Sequence, residues 1–329
     1  MPTTTTAKRV TAADVARSLG ISRATVGFVL NDTPGQKISD ATRDRVIAEA
    51  RRLGYRANNA ARALASGRSR IVLLVMPDWP LDHNLRTNLD EASLALDEAG
   101  YSLVTMTPHA GGKAQPLWET LNPDVVMGLT PFTREQIARF RAAGVEHIVP
   151  DIPLEDGTAL DDLSDGPAQQ VRHLVERGRT RLALAGPSDP RLADLRELRR
   201  SIARAEIERT PGIELVASAD LDAASATERL HEFLEAGADA IVAYNDDVAA
   251  WLLGAALRSG IDIPGRVGIV GHDDTPVASL IVPSLTTVRI DIAGLGRFFA
   301  QMALNAADGA PVPTDRPRAT SEIIARETT

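Results

Sequence analysis

The sequence predicts an α/β body of parallel strands flanked by helices, preceded by a small all-helical segment. From about residue 70 onward, apolar runs of four to six residues alternate with amphipathic helical stretches. This alternation is typical of parallel sheets covered by helices on both faces. Before residue 70, apolar residues instead recur at three- and four-residue spacing between Ser/Thr caps and glycines, which predicts short helices.

Length and composition restrict the protein class. The chain has 329 residues, of which 44% are hydrophobic and 24% charged, as expected of a globular protein with two or three domains. It contains no cysteine, which excludes disulfides, thiolate catalysis and cysteine-ligated metals. The first residues contain no apolar stretch of signal-peptide length, and the run Ile71–Met76 is too short to span a bilayer. We therefore expect a cytoplasmic protein without a membrane partner.

The first segment reads as a series of capped helices. Thr11 to Asp14 forms a capping box before the first helix, and Gly20 is a left-handed stop after it. Ser22 and Ser39 are the N-cap candidates of the second and third helices, the third covering roughly residues 40–53. A short fourth helix is predicted over residues 60–65.

The charge distribution and the first two helices together indicate DNA binding. Residues 1–70 contain 13 Lys and Arg against 5 Asp and Glu, whereas the whole chain has a net charge of −8. Two short helices joined by a glycine turn form a helix-turn-helix candidate, whose second helix enters the major groove. Arg23 is suited to guanine and Ala24 to a thymine methyl, while Thr11 and Ser22 are placed near phosphates. A helical bundle without a ligand is the alternative.

The segment from Val10 to Leu64 resembles the headpiece of the lactose-repressor (LacI/GalR) family. The resemblance rests on Val10–Ala16, Gly20–Val26, Val29–Asn31, Ile38–Ser39, Thr42–Arg43 and Leu53–Tyr55, continuing through Asn58, Ala61–Arg62 and Leu64. It implies a transcriptional regulator, a repressor, that binds a palindromic double-stranded operator as a homodimer or higher oligomer. Leu64, in a hinge helix, would insert into the minor groove. The DNA-binding residues implied are Thr11, Ser22, Arg23, Ala24, Thr25, Asn31, Asn58, Ala61 and Leu64.

The body resembles that of the LacI/GalR family, which is similar to the two-lobed periplasmic sugar-binding proteins. The strand pattern alone is compatible with one barrel or two open sheets, and the resemblance implies two sheets. It is carried by Tyr244–Asp247, Ile263–Pro264, Val267–Asp274 and Pro283–Val288. The expected division is a headpiece over 1–57, a hinge helix and linker over 58–69 and an effector-binding body over 70–329. The first lobe covers about 70–162 and 291–318, and the second about 163–290 and 319–329.

Polar residues at predicted strand ends mark an expected effector site. Asn245 and Asp273 each follow a strand of the second lobe, where ligands of open α/β sheets bind, and they suit a sugar or a related polar metabolite. By resemblance Arg196 would bind the effector, and Asp151 would face the cleft from the first lobe. The alternative to ligand binding is a structural role for these residues in helix capping, in a turn or in the packing of the lobes. The remaining candidates to line the cleft are Trp79, Phe132 and Leu221.

The sequence predicts neither an enzyme nor a cofactor or metal site. The six histidines have no metal-like spacing, and there is no G-x-S-x-G elbow and no Walker lysine loop. The carboxylate pairs, such as Asp273–Asp274, are better explained by recognition of a polar ligand. The main alternative is a cytoplasmic solute-binding protein without operator recognition, and a weaker one is a sugar-active enzyme on a similar body.

Overall fold

The chain forms two compact units, the headpiece (Met1–Arg70) and the body (Ile71–Thr329). The computed structural model describes residues 10–31, 35–55, 67–109, 111–151, 153, 165–311 and 320–329. The predicted hinge helix, with Asn58, Ala61 and Leu64, lies outside the described residues.

The described part of the headpiece contains three helices around a small apolar core. They are α1 (Ala12–Leu19), α2 (Arg23–Leu30) and α3 (Asp40–Arg52). Each helix contributes one fully buried valine, namely Val15, Val26 and Val46. The period of the apolar residues therefore predicted these helices and their inner faces correctly.

The first lobe of the body is built on four parallel strands. The strands are β1 (Ile71–Val75), β2 (Ser102–Met106), β3 (Val125–Gly128) and β4 (His147–Val149). They lie in the order β2-β1-β3-β4. The helices along this part of the chain are α4 (His83–Glu98), α5 (Leu117–Thr120) and α6 (Arg134–Ala142).

The second lobe repeats this architecture. Its strands are β5 (Arg181–Pro187), β6 (Glu214–Leu221), β7 (Ala240–Ala243) and β8 (Gly268–Val270). They are parallel and lie in the order β6-β5-β7-β8. Its helices are α7 (Gly166–Glu176), α8 (Ala193–Arg209), α9 (Ala226–Glu235), α10 (Asp246–Arg258) and α11 (Pro276–Leu280), with a 3₁₀ turn (Pro190–Leu192) before α8.

The last part of the chain contributes to both lobes. β9 (Thr287–Ile290) pairs antiparallel with β10 (Ser321–Ile324), whereas the intervening α12 (Ile292–Ala307) packs against α4 of the first lobe. A Cβ atom at Gly296 would lie 2.5 Å from the backbone oxygen of Asn88, so only glycine permits this close approach of the two helices.

Both sheets are covered on two faces, as their continuous apolar strands predict. In the first lobe, Val72 packs in one cluster with Phe299 of α12, and its neighbour Leu73 packs in another with Phe140 of α6. In the second lobe, Ile241 shares a cluster with helices α9 and α10, whereas the next residue of β7 shares one with α7 and α8. Successive residues of a strand point to opposite faces, which produces this alternation.

Candidate functional site

The first turn of α2, which the sequence predicts to contact DNA bases, is exposed on the headpiece. Gly20 ends α1 with φ of +66°, and Ser22 caps α2 by accepting a hydrogen bond from Thr25 N at 3.0 Å. Arg23 and Ala24 follow on the exposed first turn. Arg23 has no ion pair within the described part of the chain, so its guanidinium is available to an external partner.

The other predicted DNA contacts of the described headpiece have structural roles as well. Thr11 uses both its N–H and its hydroxyl in hydrogen bonds to Asp14, which complete the predicted capping box. The Ser22 hydroxyl contacts the Thr25 hydroxyl at 2.8 Å. Asn31 is the exposed C-cap of α2. The Thr11 and Ser22 hydroxyls already make hydrogen bonds at the helix ends. A contact with a DNA phosphate would have to use a donor or lone pair of these hydroxyls that is not engaged in capping.

In the body, a cavity of about 190 Å³ opens at the carboxyl end of the second sheet and is lined from both lobes. Drug-sized ligands usually occupy roughly 300–1,000 Å³, so this cavity fits a smaller polar molecule. The first lobe supplies Asp82, His83 and Asn84. The second lobe supplies Asn245, Asp247, Asp273, Thr275, Pro276 and Val277.

Asp273 lies at the centre of a buried charge network behind this cavity. Its Oδ1 accepts hydrogen bonds from Arg199 Nη2 at 2.9 Å and from His272 Nδ1 at 2.7 Å. The pKa of Asp273 is lowered because the Arg199 and His272 contacts outweigh the cost of burial. Burial lowers the pKa of His272 and so favours its neutral form, and the contact with the Asp273 carboxylate, which can only accept, makes Nδ1 the donor.

Arg199 is held in this network from two sides. Its Nη1 donates to the backbone oxygen of Tyr244 at 2.6 Å, and its guanidinium carbon lies 4.5 Å from the centroid of the Tyr244 ring. Sequence reasoning missed Arg199. It lies three residues after Arg196 on α8, and that spacing, which places two side chains on one helix face, was the available signal.

Asn245 combines the predicted cavity position with helix capping, and its neighbour Asp246 is buried at the start of α10. Asn245 Oδ1 accepts from Val248 N at 3.0 Å and so caps α10, which leaves its amide nitrogen as a donor at the cavity. Asp246 is fully buried and accepts hydrogen bonds from Thr275 and Thr287. Burial nevertheless raises the pKa of Asp246 to about 6.

This raised pKa predicts a pH-dependent stability of the body. Because the folded body binds the Asp246 proton more tightly than the unfolded chain does, the stability present at low pH is lost as pH rises through about 6. Between pH 4.5 and 7.5 we expect the wild type to lose about 2 kcal/mol relative to Asp246→Asn. Urea unfolding at several pH values measures this difference. A difference that does not change with pH would contradict the prediction.

Arg196 does not line this cavity and is engaged elsewhere. It pairs with Asp220 at 3.1 Å and donates to the backbone oxygen of Pro187 at 2.9 Å. Arg200 also contacts Asp220. Arg196, Arg199 and Arg200 line a separate internal cavity of about 20 Å³, enough for about one water molecule. Arg196 Nε is buried there without a partner among the described residues.

Of the predicted cleft residues, Asn245 and Asp273 line the cavity, whereas Arg196, Trp79, Phe132, Leu221 and Asp151 do not. Phe132 is buried in the first lobe, with its ring 4.9 Å from that of Phe140, and Leu221 is fully buried in the core of the second lobe. Both apolar side chains therefore pack in the cores and are not available to a ligand. Asp151 instead forms a surface ion pair with Arg141 at 2.8 Å, in which both side chains are more than half exposed. Trp79 is half-buried after β1.

The first-lobe contribution comes instead from the start of α4. Asp82 caps this helix by accepting from Leu85 N at 2.7 Å, and His83 and Asn84 follow. Sequence reasoning missed these three residues. They follow β1 at its carboxyl end, so the strand-end rule that located Asn245 and Asp273 also applied to them.

The sequence of the chain matches two family models. The model described as bacterial regulatory proteins, lacI family, matches residues 11–58, and the model of a periplasmic binding protein-like domain matches residues 171–329. The HTH-type transcriptional regulator GalR of Escherichia coli (strain K12) is 30% identical, over 91% of this chain and 90% of its own length. The chain belongs to the lacI family of bacterial regulatory proteins.

Further relatives agree with this assignment. The HTH-type transcriptional regulator GntR of Pseudomonas aeruginosa is 29% identical and covers 99% of this lacI-family chain, with 97% of its own length matched. A crystal structure of the lac repressor dimer bound to operator and the anti-inducer ONPF shares the fold. It has a TM-score of 0.73 and 23% identity, over 98% of this chain and 99% of that one. The resemblance drawn from the sequence is confirmed.

The family assignment identifies the two units of this lacI-family protein. The headpiece is the helix-turn-helix DNA-binding domain of a transcriptional regulator, and the body is its periplasmic-binding-protein-like effector domain. The two open sheets exclude the single barrel that the strand pattern had left open. Within the described residues, no helix has both the length and the apolar character required to cross a membrane.

Proposed function

We propose that this regulator is a repressor that binds a palindromic operator as a homodimer, under the control of a small polar effector bound between the lobes of the body. The observation that carries the proposal is the cavity at the sheet edge, lined by polar residues of both lobes, in a chain with a helix-turn-helix headpiece. Similar proteins have been solved as a repressor dimer on operator and as a CelR–cellobiose complex.

The proposed division follows the sequence, with a DNA-binding headpiece over 1–57, a hinge over 58–69 and the two-lobed body over 70–329. The operator contacts would come from the exposed start of α2, from Thr11 and Asn31, and from Asn58, Ala61 and Leu64 of the hinge. The effector contacts would come from Asn245 and Asp273, together with Asp82, His83, Asn84 and Asp247. Arg196 and Trp79 are proposed to support the ligand from the cleft walls.

Two further parts of the proposal concern chemistry and place. The body would bind its ligand without transforming it, because the carboxylates at the cavity serve as helix caps, ion-pair partners and ligand contacts. Curated relatives are regulators rather than enzymes. Because the proposed partner is chromosomal DNA, the proposed place of action is the bacterial cytoplasm.

Exposed apolar side chains support the proposed dimer. Leu280 at the end of α11 is 77% exposed and the nearby Val282 is 81% exposed, whereas Ile281 between them packs against the core. Large aliphatic side chains so close together and so exposed are typical of a protein–protein contact. We propose that this segment, Leu280–Val282, contributes to contact with a second copy.

Fluorescence anisotropy with DNA flanking the protein's own gene tests the proposed function. We expect saturable binding to one palindromic site, and a change of affinity when the body is saturated with its effector. Ligand binding without any DNA binding would favour a solute-binding protein and contradict the proposal. DNA binding that no body ligand alters would leave a regulator without effector control.

The Arg23→Ala variant tests the assignment of the base contact. Loss of one bidentate contact to guanine is expected to weaken operator binding by about 1–3 kcal/mol and to relax preference at one symmetric base position. Lys8→Ala is the control and should weaken all sequences alike. Anisotropy with single-base operator variants measures both effects. If Arg23→Ala weakens binding without changing base preference, Arg23 is a phosphate contact.

A further inference from the structure

Three carboxylates line the cavity, and only one of them has a cationic partner. Asp82 comes from the first lobe, and Asp247 and Asp273 come from the second. Asp273 is neutralised by Arg199, which lies behind it. The Asp247 side chain has no hydrogen bond or ion pair with any residue that the structure describes, and the Asp82 side chain accepts only the hydrogen bond from Leu85 N that caps α4.

The two carboxylates without a salt bridge, Asp82 and Asp247, line the same cavity from different lobes. Partial desolvation raises the pKa of Asp82 and the charges of Asp273 and Asp247 raise it further, whereas the capping hydrogen bond from Leu85 N and the charge of Arg199 oppose this rise. Burial and then the charge of Asp273 raise the pKa of Asp247. The described lining includes no lysine or arginine that would compensate them. Each wall of the cleft therefore carries a carboxylate without a salt bridge.

The other polar side chains of the lining are uncharged hydrogen-bonding groups suited to hydroxyls. Asn245 retains its amide nitrogen as a donor, because only its Oδ1 is used in capping α10. Asn84 adds a second amide and His83 a ring at the opposite wall. Amides and carboxylates together match the alternating donors and acceptors of a polyol.

We propose that the effector is a small polyhydroxylated molecule with a protonated amine, such as an amino sugar, and that the amine lies between Asp82 and Asp247. The inference rests on the proposed function, because it assigns the ligand class of the same cavity. A cation at this position forms charge-assisted hydrogen bonds to both lobes at once and removes the repulsion between them. An anionic sugar would place a third like charge against the two carboxylates.

The test uses matched pyranoses that differ at one substituent, which is an amine, a hydroxyl or a carboxylate. The full-length protein is titrated calorimetrically with glucosamine, glucose and glucuronate, and with the corresponding galactose and mannose series. We expect at least one aminated ligand to bind about 10–100-fold more tightly than its neutral counterpart. The acids should bind more weakly than either.

Two variants assign the effect to the proposed pair. Asp82→Asn retains helix capping, since asparagine is an equally good N-cap, and Asp247→Asn is nearly isosteric. Each should reduce the preference for the amine by about tenfold or more, and the double variant should abolish it. Asp97→Asn, which removes an exposed carboxylate elsewhere on the first lobe, is the control and should keep the preference.

The possible outcomes separate this inference from the proposed function. Tighter binding of neutral or acidic ligands, failure of every aminated ligand to bind, or an amine preference unaffected by both variants would overturn the inference. Operator anisotropy with the same ligands is measured independently. If an amine binds as expected but does not alter operator affinity, the ligand class stands and effector control fails.

Discussion

Asp273→Ala is expected to destabilise the body by about 3–5 kcal/mol, because it leaves Arg199 buried without its carboxylate partner. The Arg199 side chain is 23% exposed, that of Asp273 is 6% exposed, and the ion pair is 2.9 Å long. The lost network also includes the hydrogen bond from His272, which would leave a second buried donor unpaired. This is the largest effect of a single substitution that we expect at the site.

A double-mutant cycle tests this expectation. Arg199→Met removes the other charge, and the double variant should be more stable than the two single losses added together predict, because no uncompensated charge remains. Urea unfolding of the second lobe can be followed by Trp251 after Trp79 and Trp118 are replaced by phenylalanine. Asp97→Ala is the control and should change stability by about 0.5 kcal/mol or less. A cost of Asp273→Ala below about 1 kcal/mol would contradict the buried pair.

The same network limits the use of Asp273 as a ligand probe. From the sequence, Asp273→Ala would be expected to remove the effector response alone, with operator binding intact. The structure gives Asp273 a second role in stability, so loss of response in this variant would not distinguish a lost contact from a destabilised lobe. Asp82 and Asp247 support no buried ion pair among the described residues. Substitutions at these two positions therefore test ligand binding with less effect on folding.

Replacing both Leu280 and Val282 by aspartate is expected to dissociate the dimer and to weaken operator binding about 100-fold or more. A palindromic operator is held by two headpieces, so a monomer loses the avidity of the second half-site. Both side chains are more than three-quarters exposed, so the substitution should leave the fold of the subunit intact. Analytical ultracentrifugation measures the oligomeric state, and anisotropy measures the operator affinity.

A control is needed because the double variant also adds two negative charges to a DNA-binding protein. Ser201→Asp adds a charge at an exposed polar residue of α8 and should leave the dimer and the operator affinity nearly unchanged. Circular dichroism should show the same helix content in all variants. A double variant that remains dimeric at micromolar concentration would show that this segment lies outside the dimer contact.

The sequence by itself determined the local structure and the family. The spacing of apolar residues predicted the strands and helices. A strand buried on both faces requires a continuous apolar run, whereas a helix buried on one face requires apolar residues three or four apart. Caps such as Thr11, Ser22 and Ser39 were predictable because a side-chain hydroxyl and the backbone N–H it caps lie within three residues of each other. Asn245 and Asp273 followed from the rule that ligands bind beyond strand carboxyl ends, and the structure places both at the cavity.

Only the tertiary structure decided which of these side chains meet, and with what charge. Arg199 and Asp273 are 74 residues apart in the chain, and Asp82 and Asp247 belong to different lobes, so no local pattern relates them. Phe132 follows β3 and Leu221 ends β6, yet both pack in the cores and do not line the cavity. Burial and charge compensation depend on every neighbour in space, and for these residues the neighbours come from distant parts of the chain.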